Sequence, residues 1–491
     1  MRSALALAAS VASGVLLWVS APPVGAGWIA WIALVPAAVV ALRAPETRAA
    51  RLAVPLAYAV YLELLIIPAL PFGVADRQWG DPLLPVLVGD SPVLAAALVG
   101  IPLLALALYV LRFPHLVAVP VVATALVLAP LAWTALDLVR AKFDPSGLWG
   151  PLFLSQHDTS AARIGELGGP WLITFAIVAV NYAVALTLVR GAVAARPAAA
   201  VVALVALAPA AADERDTIRV AAVQPGYDTS EFERPVLRHF GEDDQLAGLD
   251  MVEDLAPLTR SAARRGAEIV VWPEAAIWVD PARTLPGVSI RHLLAGTDVR
   301  LVVPYFVRAD AAGAALIVAG GGRRWSRPQP KQRPMWFLGE EGRNAAAPRP
   351  AAGQDLLIGT MLGVDNQDPG IARELVAAGA DVLASSTHDW KELAPEQRAY
   401  SQLHATALAV PVVRADWRYG STIFDAGGRE VADAGADKRR TVVVADVALA
   451  GSDTPYARIG DTLGWIAAAA ALGAVVARLA RSLVRRRASE G

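Results

Sequence analysis

Residues 356–381 have the sequence LLIGTMLGVDNQDPGIARELVAAGAD, which combines an apolar run, a polar turn and an amphipathic run. The run 356–362 is typical of a buried strand, and the run 369–378, which begins with proline, is typical of a helix. A strand that ends in a turn before a helix is a common place to present a catalytic side chain. The position expected to carry that side chain is 363, and it holds glycine.

The composition indicates a membrane protein with a soluble part. The chain has 491 residues, of which 55% are hydrophobic and only 18% are charged, and its mean hydropathy is +0.45. The hydrophobic share is higher and the charged share lower than in ordinary soluble domains, and the length exceeds that of a single domain. The net charge of −1 does not favour nucleic acid as a partner. The absence of cysteine excludes disulfides, thiolate metal sites and a cysteine nucleophile.

Apolar segments long enough to span a membrane occur within the first 212 residues and once near the end of the chain. The first segment has features of a signal peptide, because Arg2 precedes it and small residues follow it. Further apolar segments follow at once, which favours a retained first helix. We therefore expect about eight spans, at residues 4–20, 26–42, 50–71, 91–111, 116–139, 170–189, 197–212 and 462–480.

The basic residues of the short loops predict the orientation. Arg2, Arg43, Arg112 and Arg190 would all lie on the same side as the basic C-terminal tail, and that side is expected to be cytoplasmic. About seven spans before residue 213 would place the soluble region outside the cytoplasm. We predict a transmembrane helical domain at 1–212, an α/β domain at 213–450, and a transmembrane helix with a basic cytoplasmic tail at 451–491.

The soluble region alternates short apolar strands with amphipathic helices, a pattern that predicts an α/β layered fold. Residues 425–428, Asp-Ala-Gly-Gly, predict a hairpin turn. The expected strands are 218–223, 268–272, 300–306, 316–319, 356–362, 381–384, 412–415 and 441–447, and the expected helices are 244–265, 369–378 and 395–409.

Two positions besides 363 are candidates for chemistry. Glu274 follows a buried strand that Pro273 ends, so its carboxylate would lie at the carboxyl edge of the sheet, where α/β sites form. Taken alone, Glu274 is interpreted more readily as a surface-loop carboxylate than as a functional one. Lys331 follows a second strand and precedes Glu340, and a lysine beside a carboxylate can stabilise an oxyanion. Taken alone, a solvated basic loop is the simpler interpretation of the Lys331 segment.

Other polar residues favour structural roles. The hydroxyl groups of Thr360 and of residues 385–387 are expected to form hydrogen bonds at strand ends. His388 and Asp389 are adjacent, and neighbours in an extended chain point to opposite faces, so a catalytic triad is not favoured. Six scattered histidines do not suggest a metal site. Glu63 and Asp137 fall within predicted spans, where a carboxylate is either functional or bonded to a neighbouring helix. For Asp137 we favour a pair with Arg140 one turn on.

Together these pieces resemble the nitrilase superfamily, and with the membrane spans they resemble the apolipoprotein N-acyltransferase family. The resemblance covers nearly the whole chain. It includes the Ala-Pro-Pro turn at 21–23, the Trp-Pro-Glu run at 272–274, and the segment 331–340. Trp133, Asp137 and Arg140 stand at the family's Trp, Glu and Arg spacing, and the run 369–381 is the closest match.

This resemblance implies an αββα sandwich with a Glu, a Lys and a Cys in its active site. Glu274 would be the general base and Lys331 would stabilise the tetrahedral intermediate. The cysteine would take an acyl chain from phospholipid as a thioester and pass it to the amino group of a lipoprotein's N-terminal diacylglyceryl-cysteine. Glu340 and Asp365 would support the site, and no cofactor or metal is implied.

The chain departs from the family's pattern around this site. Counting back from Pro369 places the missing cysteine at Gly363, which has no attacking atom for covalent catalysis. The segment after Lys331 carries one extra residue before Glu340 and lacks the His-Leu-Val-Pro motif that is usual in the family. The remaining departures are Val364 and Asp365 for Tyr and Glu, His388 and Asp389 for Asn and Asp, and His404 and Ala407 for Arg and Glu.

Two hypotheses follow. The first is a multi-pass protein of the bacterial cytoplasmic membrane, with an extracytoplasmic soluble domain, that has lost or altered the family's thioester catalysis. Phospholipid and a lipoprotein or lipopeptide would remain its partners, and whether it is still an enzyme stays open. The second is a non-catalytic membrane scaffold or lipid-binding partner that keeps the fold. A transporter is less favoured, because the largest soluble region has the pattern of a hydrolase fold.

Overall fold

The structure is a computed structural model. It describes residues 2–45, 47–69, 124–143, 149–191, 216–226, 243–307, 310–335, 340, 351–353, 356–436, 439–449 and 454–490.

The N-terminal part is a bundle of helices around an apolar core. Its helices are α1 (Arg2–Ser20), α2 (Ala30–Ala33), α3 (Val35–Arg43), α4 (Arg48–Ala69), α5 (Ala129–Phe143) and α6 (Gly165–Arg190). Helix α1 packs along α4, and α6 packs against α3 and α5. Leu17, Leu138 and Trp171 are fully buried between them. Large apolar side chains such as Leu5 and Trp28 remain exposed on the outside.

Two segments are long and apolar enough to cross a membrane by length and composition, Ser3–Ser20 and Ser160–Arg190. Gly27–Arg43 and Thr462–Ala477 are apolar but shorter. The expected spans at 91–111 and 197–212, and the first part of 116–139, lie outside the described residues. The multi-pass arrangement therefore stays a prediction.

The expected span at 26–42 is not one continuous helix. It consists of a short 3₁₀ turn, α2 and α3, with the break at Leu34. The Leu34 N–H donates to Asn181 Oδ1 at 2.8 Å, and Asn181 Nδ2 donates to the carbonyl of Ala30 at 2.8 Å. A buried asparagine on α6 thus satisfies the backbone groups that the break exposes, and hydropathy alone did not reveal this.

The soluble domain contains two sheets. Its strands are β1 (Thr217–Gln224), β2 (Ile269–Val271), β3 (Arg300–Val307), β4 (Ala312–Ala319), β5 (Arg324–Trp325), β6 (Gln329–Pro330), β7 (Ala351–Gly353), β8 (Leu356–Leu362), β9 (Val382–Thr387), β10 (Val412–Asp416), β11 (Thr422–Phe424), β12 (Glu430–Asp433) and β13 (Thr441–Ala448). One sheet has the order β13-β1-β2-β3-β4-β5, with β6 paired to β4, and the other has the order β12-β11-β10-β9-β8-β7. Strands β1 to β3 are parallel, as are β8 to β10, so each sheet has an edge at which the carboxyl ends of three strands meet.

The two sheets pack face to face between two layers of helices. Inward-facing side chains such as Val271 and Ala384 form the core between the sheets. Their neighbours along the strands, Val270 and Leu383, face outward, because successive strand residues alternate between faces. Helices α7 (Asp244–Arg264) and α8 (Leu285–Leu294) cover the first sheet, and α9 (Pro369–Ala377) and α10 (Ala394–Leu408) cover the second. The expected αββα sandwich is therefore the observed architecture.

All eight expected strands and all three expected helices are present, and the expected strand 356–362 has the bounds of β8. The expected turn at 425–428 joins β11 to β12, with the Asp425 carboxylate accepting from the Gly427 and Arg429 N–H groups. The chain ends in α11 (Pro455–Ile459) and α12 (Thr462–Glu490). Helix α12 packs against α5, and α10 packs against α6, so the soluble domain and the N-terminal bundle are in direct contact.

Candidate active site

Glu274 lies just beyond the carboxyl end of β2, and residues from the second sheet hold its backbone in place. Its N–H donates to the carbonyl of Thr387 at 3.4 Å, and its own carbonyl accepts from Trp417 Nε1 at 2.7 Å. Its side chain is only 16% exposed. Glu274 is therefore not a surface-loop carboxylate.

Lys331 is buried between two carboxylates. Its N–H donates to the carbonyl of Gly313 at 2.9 Å, which fixes the chain at the end of β6. Its Nζ lies 2.9 Å from Glu274 Oε1 and 2.8 Å from Glu340 Oε2, and its side chain is 4% exposed. Glu340 is itself held by the Met335 N–H, 2.7 Å from Oε2. The interpretation of this segment as a solvated basic loop was wrong for Lys331, although Arg323, Arg324 and Arg327 nearby are exposed or half-buried.

The electrostatics of this cluster keep the lysine charged. Burial disfavours its charged form, but the carboxylates of Glu274 and Glu340 outweigh that effect and raise the pKa of Lys331 above its usual value. Burial also raises the pKa of Glu274, with contributions from the negative charges of Glu340 and Asp416, while Lys331 opposes the shift. The cluster thus pairs an ammonium ion with a carboxylate that holds a proton more readily than an exposed one.

Gly363 faces this cluster directly. It begins a 3₁₀ turn at the carboxyl end of β8, with φ of +51°, a conformation that favours glycine over residues with a Cβ. A Cβ added at position 363 would lie 2.5 Å from Glu274 Oε2 and 2.7 Å from Glu274 Oε1. The carboxylate of Glu274 therefore occupies the space that a side chain at 363 would enter. Gly363, the position that the resemblance assigns to the nucleophile, therefore lies against Glu274, and the role of the position stays a prediction.

Asp365 connects the Gly363 turn to the Lys331 loop. Its carboxylate accepts from the N–H groups of Gln332, Arg333 and Leu362 at 2.7 to 3.2 Å, and the residue is 1% exposed. Burial raises the pKa of Asp365 to about 7, while Lys331 and the three N–H groups oppose that shift. Asp365 thus holds the two loops together through backbone N–H groups on both of them.

A second buried cluster supports Glu274, and the sequence did not reveal it. Asp416 Oδ2 accepts from Thr387 Oγ1 at 2.9 Å and from the Asp389 N–H at 3.0 Å. Arg414 is fully buried and pairs with both Asp389 and Asp416. These residues stand on β9 and β10 or just after them, and the strand pairing that joins them is invisible in a single sequence. Trp417 follows Asp416 directly in the sequence, and its Nε1 donates to the carbonyl of Glu274.

The candidates with hydroxyl and imidazole groups have other partners. Ser386 Oγ donates to the carbonyl of Trp272 at 2.8 Å, and Thr387 is bonded to Asp416, as strand-end hydroxyls do. Asp389 pairs with Arg414, while the His388 ring packs against Trp417, 5.6 Å between ring centres. Among the described residues, Thr360 Oγ1 and Ser385 Oγ are buried without a hydrogen-bond partner, so the expectation of strand-end hydrogen bonds was wrong for these two hydroxyls. His388 and Asp389 therefore do not form a triad.

Two departures from the family's pattern lie on α10. His404 Nε2 is 2.7 Å from the carbonyl of Asn366, within the turn that Gly363 begins, and burial lowers the pKa of His404 to about 4. Ala407 packs against α6, where a Cβ at Gly165 would be 3.1 Å from the Ala407 Cβ. Both residues fit the structure tightly in non-catalytic roles.

The site lies next to the N-terminal bundle. Lys142 Nζ, at the end of α5, is 3.1 Å from Asp368 Oδ1 and 3.0 Å from Asp461 Oδ2. Asp368 begins α9 by accepting from the Gly370 N–H at 2.9 Å, and Arg333 pairs with it at 3.3 Å. These contacts join the bundle, the Gly363 turn region and the C-terminal helix.

The carboxylates expected within the membrane segments lie in α4 and α5. Glu63 is half-buried on α4. Asp137 is fully buried on α5 and accepts from Thr174 Oγ1 at 3.0 Å. Arg140 donates to Tyr58 and to the carbonyl of Trp149. In the described part of the chain, no group of three His, Cys, Asp or Glu residues is placed to hold a metal ion.

Comparisons with known proteins connect the N-terminal bundle, which lies next to this site, to a family. Residues 13–183 match the family model of the apolipoprotein N-acyltransferase N-terminal domain. The match confirms the resemblance to that family over residues 13–183. No curated protein sequence matches the chain.

Two solved structures are similar to it at low identity. One is a carbon-nitrogen hydrolase from Helicobacter pylori G27, with 14% identity and a TM-score of 0.39, covering 50% of this chain and 94% of that chain. The other is Saccharomyces cerevisiae Nit3, a member of branch 10 of the nitrilase superfamily, with 14% identity and a TM-score of 0.40, covering 51% of this chain and 97% of that chain.

Proposed function

We propose that this chain is a membrane-anchored relative of apolipoprotein N-acyltransferase whose active site has lost thioester catalysis. The observation that carries the proposal is the geometry at Gly363. The general-base carboxylate of Glu274 points at the position where a nucleophile would attach, and glycine supplies no attacking atom. Lys331 and Glu340 remain in place around it. The chain thus keeps Glu274, Lys331 and Glu340 but lacks the residue that would form the covalent intermediate.

The proposed partners follow from the family. The acyl donor would be a phospholipid and the acceptor a lipopeptide amine, both presented at a membrane. Two long apolar helices and the match of residues 13–183 support the attachment to a membrane. The soluble domain would lie on the outer face of the bacterial cytoplasmic membrane, because the basic residues of the short loops and the C-terminal tail favour the opposite side.

A second candidate function is a non-catalytic scaffold or lipid-binding partner. His404 supports it, because the buried imidazole is used as a hydrogen-bonding group for the Gly363 turn. Ala407 supports it as well, because it serves as a packing residue against the N-terminal bundle. Both positions act to stabilise the fold at the place where the family carries charged residues.

The test is trapping of an acyl-enzyme on purified full-length protein in detergent, with labelled phospholipid as donor and a diacylated lipopeptide as acceptor. The wild type is expected to carry no covalent acyl group and to make no N-acylated lipopeptide through one. Gly363→Cys is expected to gain a hydroxylamine-sensitive acyl group, and Gly363→Cys with Glu274→Gln to lose it. An acylated wild type would overturn the proposal. No acylation of either protein would favour the scaffold.

A further inference from the structure

The carboxylate of Glu274 lies where the missing nucleophile would be. Its two oxygens are 2.5 and 2.7 Å from the position of a Cβ at residue 363. The side chain is 16% exposed, so water reaches it, whereas Lys331 behind it is 4% exposed. A carboxylate in this position is placed to act on a small molecule that approaches over Gly363.

We infer that the wild-type site cleaves acyl oxygen esters by direct attack of water, with Glu274 as general base and no acyl-enzyme. This inference rests on the proposed function, since it requires that covalent catalysis is absent. It replaces a two-step transfer with a single displacement at the ester carbonyl. The expected product is a free fatty acid in place of an N-acylated lipopeptide.

The atoms and charges balance within the observed cluster. Glu274 takes a proton from water as the hydroxyl oxygen bonds to the ester carbon, and the negative charge moves from the carboxylate to the carbonyl oxygen. The net charge of the cluster is unchanged by this step. The C–O bond to the alcohol then breaks, Glu274 returns its proton to the departing oxygen, and ester plus water become carboxylic acid plus alcohol.

Lys331 is placed to stabilise the oxyanion. An ammonium group has three N–H donors, and the contacts to Glu274 and Glu340 engage two carboxylates. Nζ lies 2.8 Å from both Glu340 oxygens and 2.9 Å from Glu274 Oε1, so the carbonyl oxygen of the ester would replace one of the two Glu340 contacts. Because the neighbouring carboxylates raise the pKa of Lys331, it stays charged over the pH range in which Glu274 is ionised.

Water is favoured over an amine as the attacking molecule. The Glu274 oxygens lie 2.5 and 2.7 Å from the position of a Cβ at residue 363, and water is the smallest nucleophile that could approach them there. A primary amine is also protonated at neutral pH. In that form it would pair with the Glu274 carboxylate and lack a free electron pair for attack.

The experiment measures fatty acid released from phospholipid with a labelled acyl chain in mixed micelles, and chromophore released from a short-chain p-nitrophenyl ester. Wild-type protein is expected to release both products without a burst and without protein acylation. Glu274→Gln is expected to lower the rate about 10²- to 10⁴-fold, the usual share of a general base. Glu268→Gln, which alters an exposed carboxylate paired with Arg300, is the matched control and is expected to leave the rate unchanged.

Gly363→Ala gives the sharper test, because its Cβ would displace the Glu274 carboxylate. It is expected to lower release strongly, because the rotated carboxylate no longer holds water over position 363, whereas in Gly363→Cys the rotated carboxylate can still reach the added thiol. Gly296→Ala is the matched control, since φ at Gly296 is +74° but no atom lies within 4 Å of the added Cβ. Gly296→Ala should carry similar backbone strain and retain the activity.

Either of two results would overturn the inference: wild-type release no greater than that of Glu274→Gln, or full activity in Gly363→Ala. The proposed function would survive both if Gly363→Cys still gained an acyl group. It would fail separately if the wild type itself became acylated.

Discussion

Removal of the Lys331 charge is expected to destabilise the soluble domain strongly. In Lys331→Met the apolar stem is kept while the ammonium is lost, so Glu274 and Glu340 remain as two buried carboxylates without the cation 2.8 to 2.9 Å away. Breaking a buried ion pair by removing one partner costs about 3–5 kcal/mol. For a domain of this size such a loss lowers Tm by about 6–20 °C.

The assay is thermal unfolding of wild type and Lys331→Met in the same detergent, at several pH values. The loss is expected to be largest at neutral pH and to shrink as pH falls, because burial raises the pKa of Glu274 and its protonation removes part of the uncompensated charge. Arg219→Ala is the matched control. Arg219 and Asp446 form an exposed pair, 45% and 54% accessible, and such pairs contribute little to stability because solvent screens them. If Lys331→Met changed Tm no more than Arg219→Ala at neutral pH, the buried cluster described above would not exist.

Two further predictions concern the surroundings of the site. Burial lowers the pKa of His404 from 6.5 to about 4. As pH falls, the unfolded chain therefore binds a proton at His404 before the folded chain does. The free energy of unfolding is expected to decrease by about 3 kcal/mol between about pH 6.5 and pH 4. His404→Gln keeps a donor for the Asn366 carbonyl, and its unfolding midpoint should fall less over that range than that of the wild type; equal slopes would contradict the assignment. Lys142→Met should lower stability by about 2 kcal/mol, discounted for 22% exposure, because Asp368 and Asp461 lose their shared cation. Adding Asp461→Asn should restore part of the Tm, and additive losses in the double variant would refute the coupling.

The fold was predictable wherever a local pattern was strong. The apolar run at 356–362 became β8 with the same bounds, because it is bounded by a polar turn and a proline-initiated helix. Helix α8 was missed, since Pro286 and Gly287 lie within its first turn and weaken the pattern. The two-residue strands β5 and β6 were also missed, because they are too short to show alternation.

The site was predictable in its individual residues and not in its assembly. Glu274 and Gly363 were both expected at strand ends, and their contact follows from two sheets whose carboxyl edges meet. Lys331 alone gave no signal of burial, since the basic residues around it are those of a solvated loop. Arg414 and Asp416 gave none either, because their role depends on pairing between β9 and β10 that a single sequence does not encode.

The most direct test of the central claim is the intact mass of the protein after incubation with phospholipid. Gly363→Cys must place its Cβ against the Glu274 oxygens, but these are the end of a flexible side chain that can rotate aside. The left-handed backbone adds strain of about 1–2 kcal/mol, which a stable domain tolerates. We predict no added mass on the wild type and one acyl chain, removed by hydroxylamine, on Gly363→Cys. An acyl adduct on the wild type would contradict the claim that its site lacks only a nucleophile.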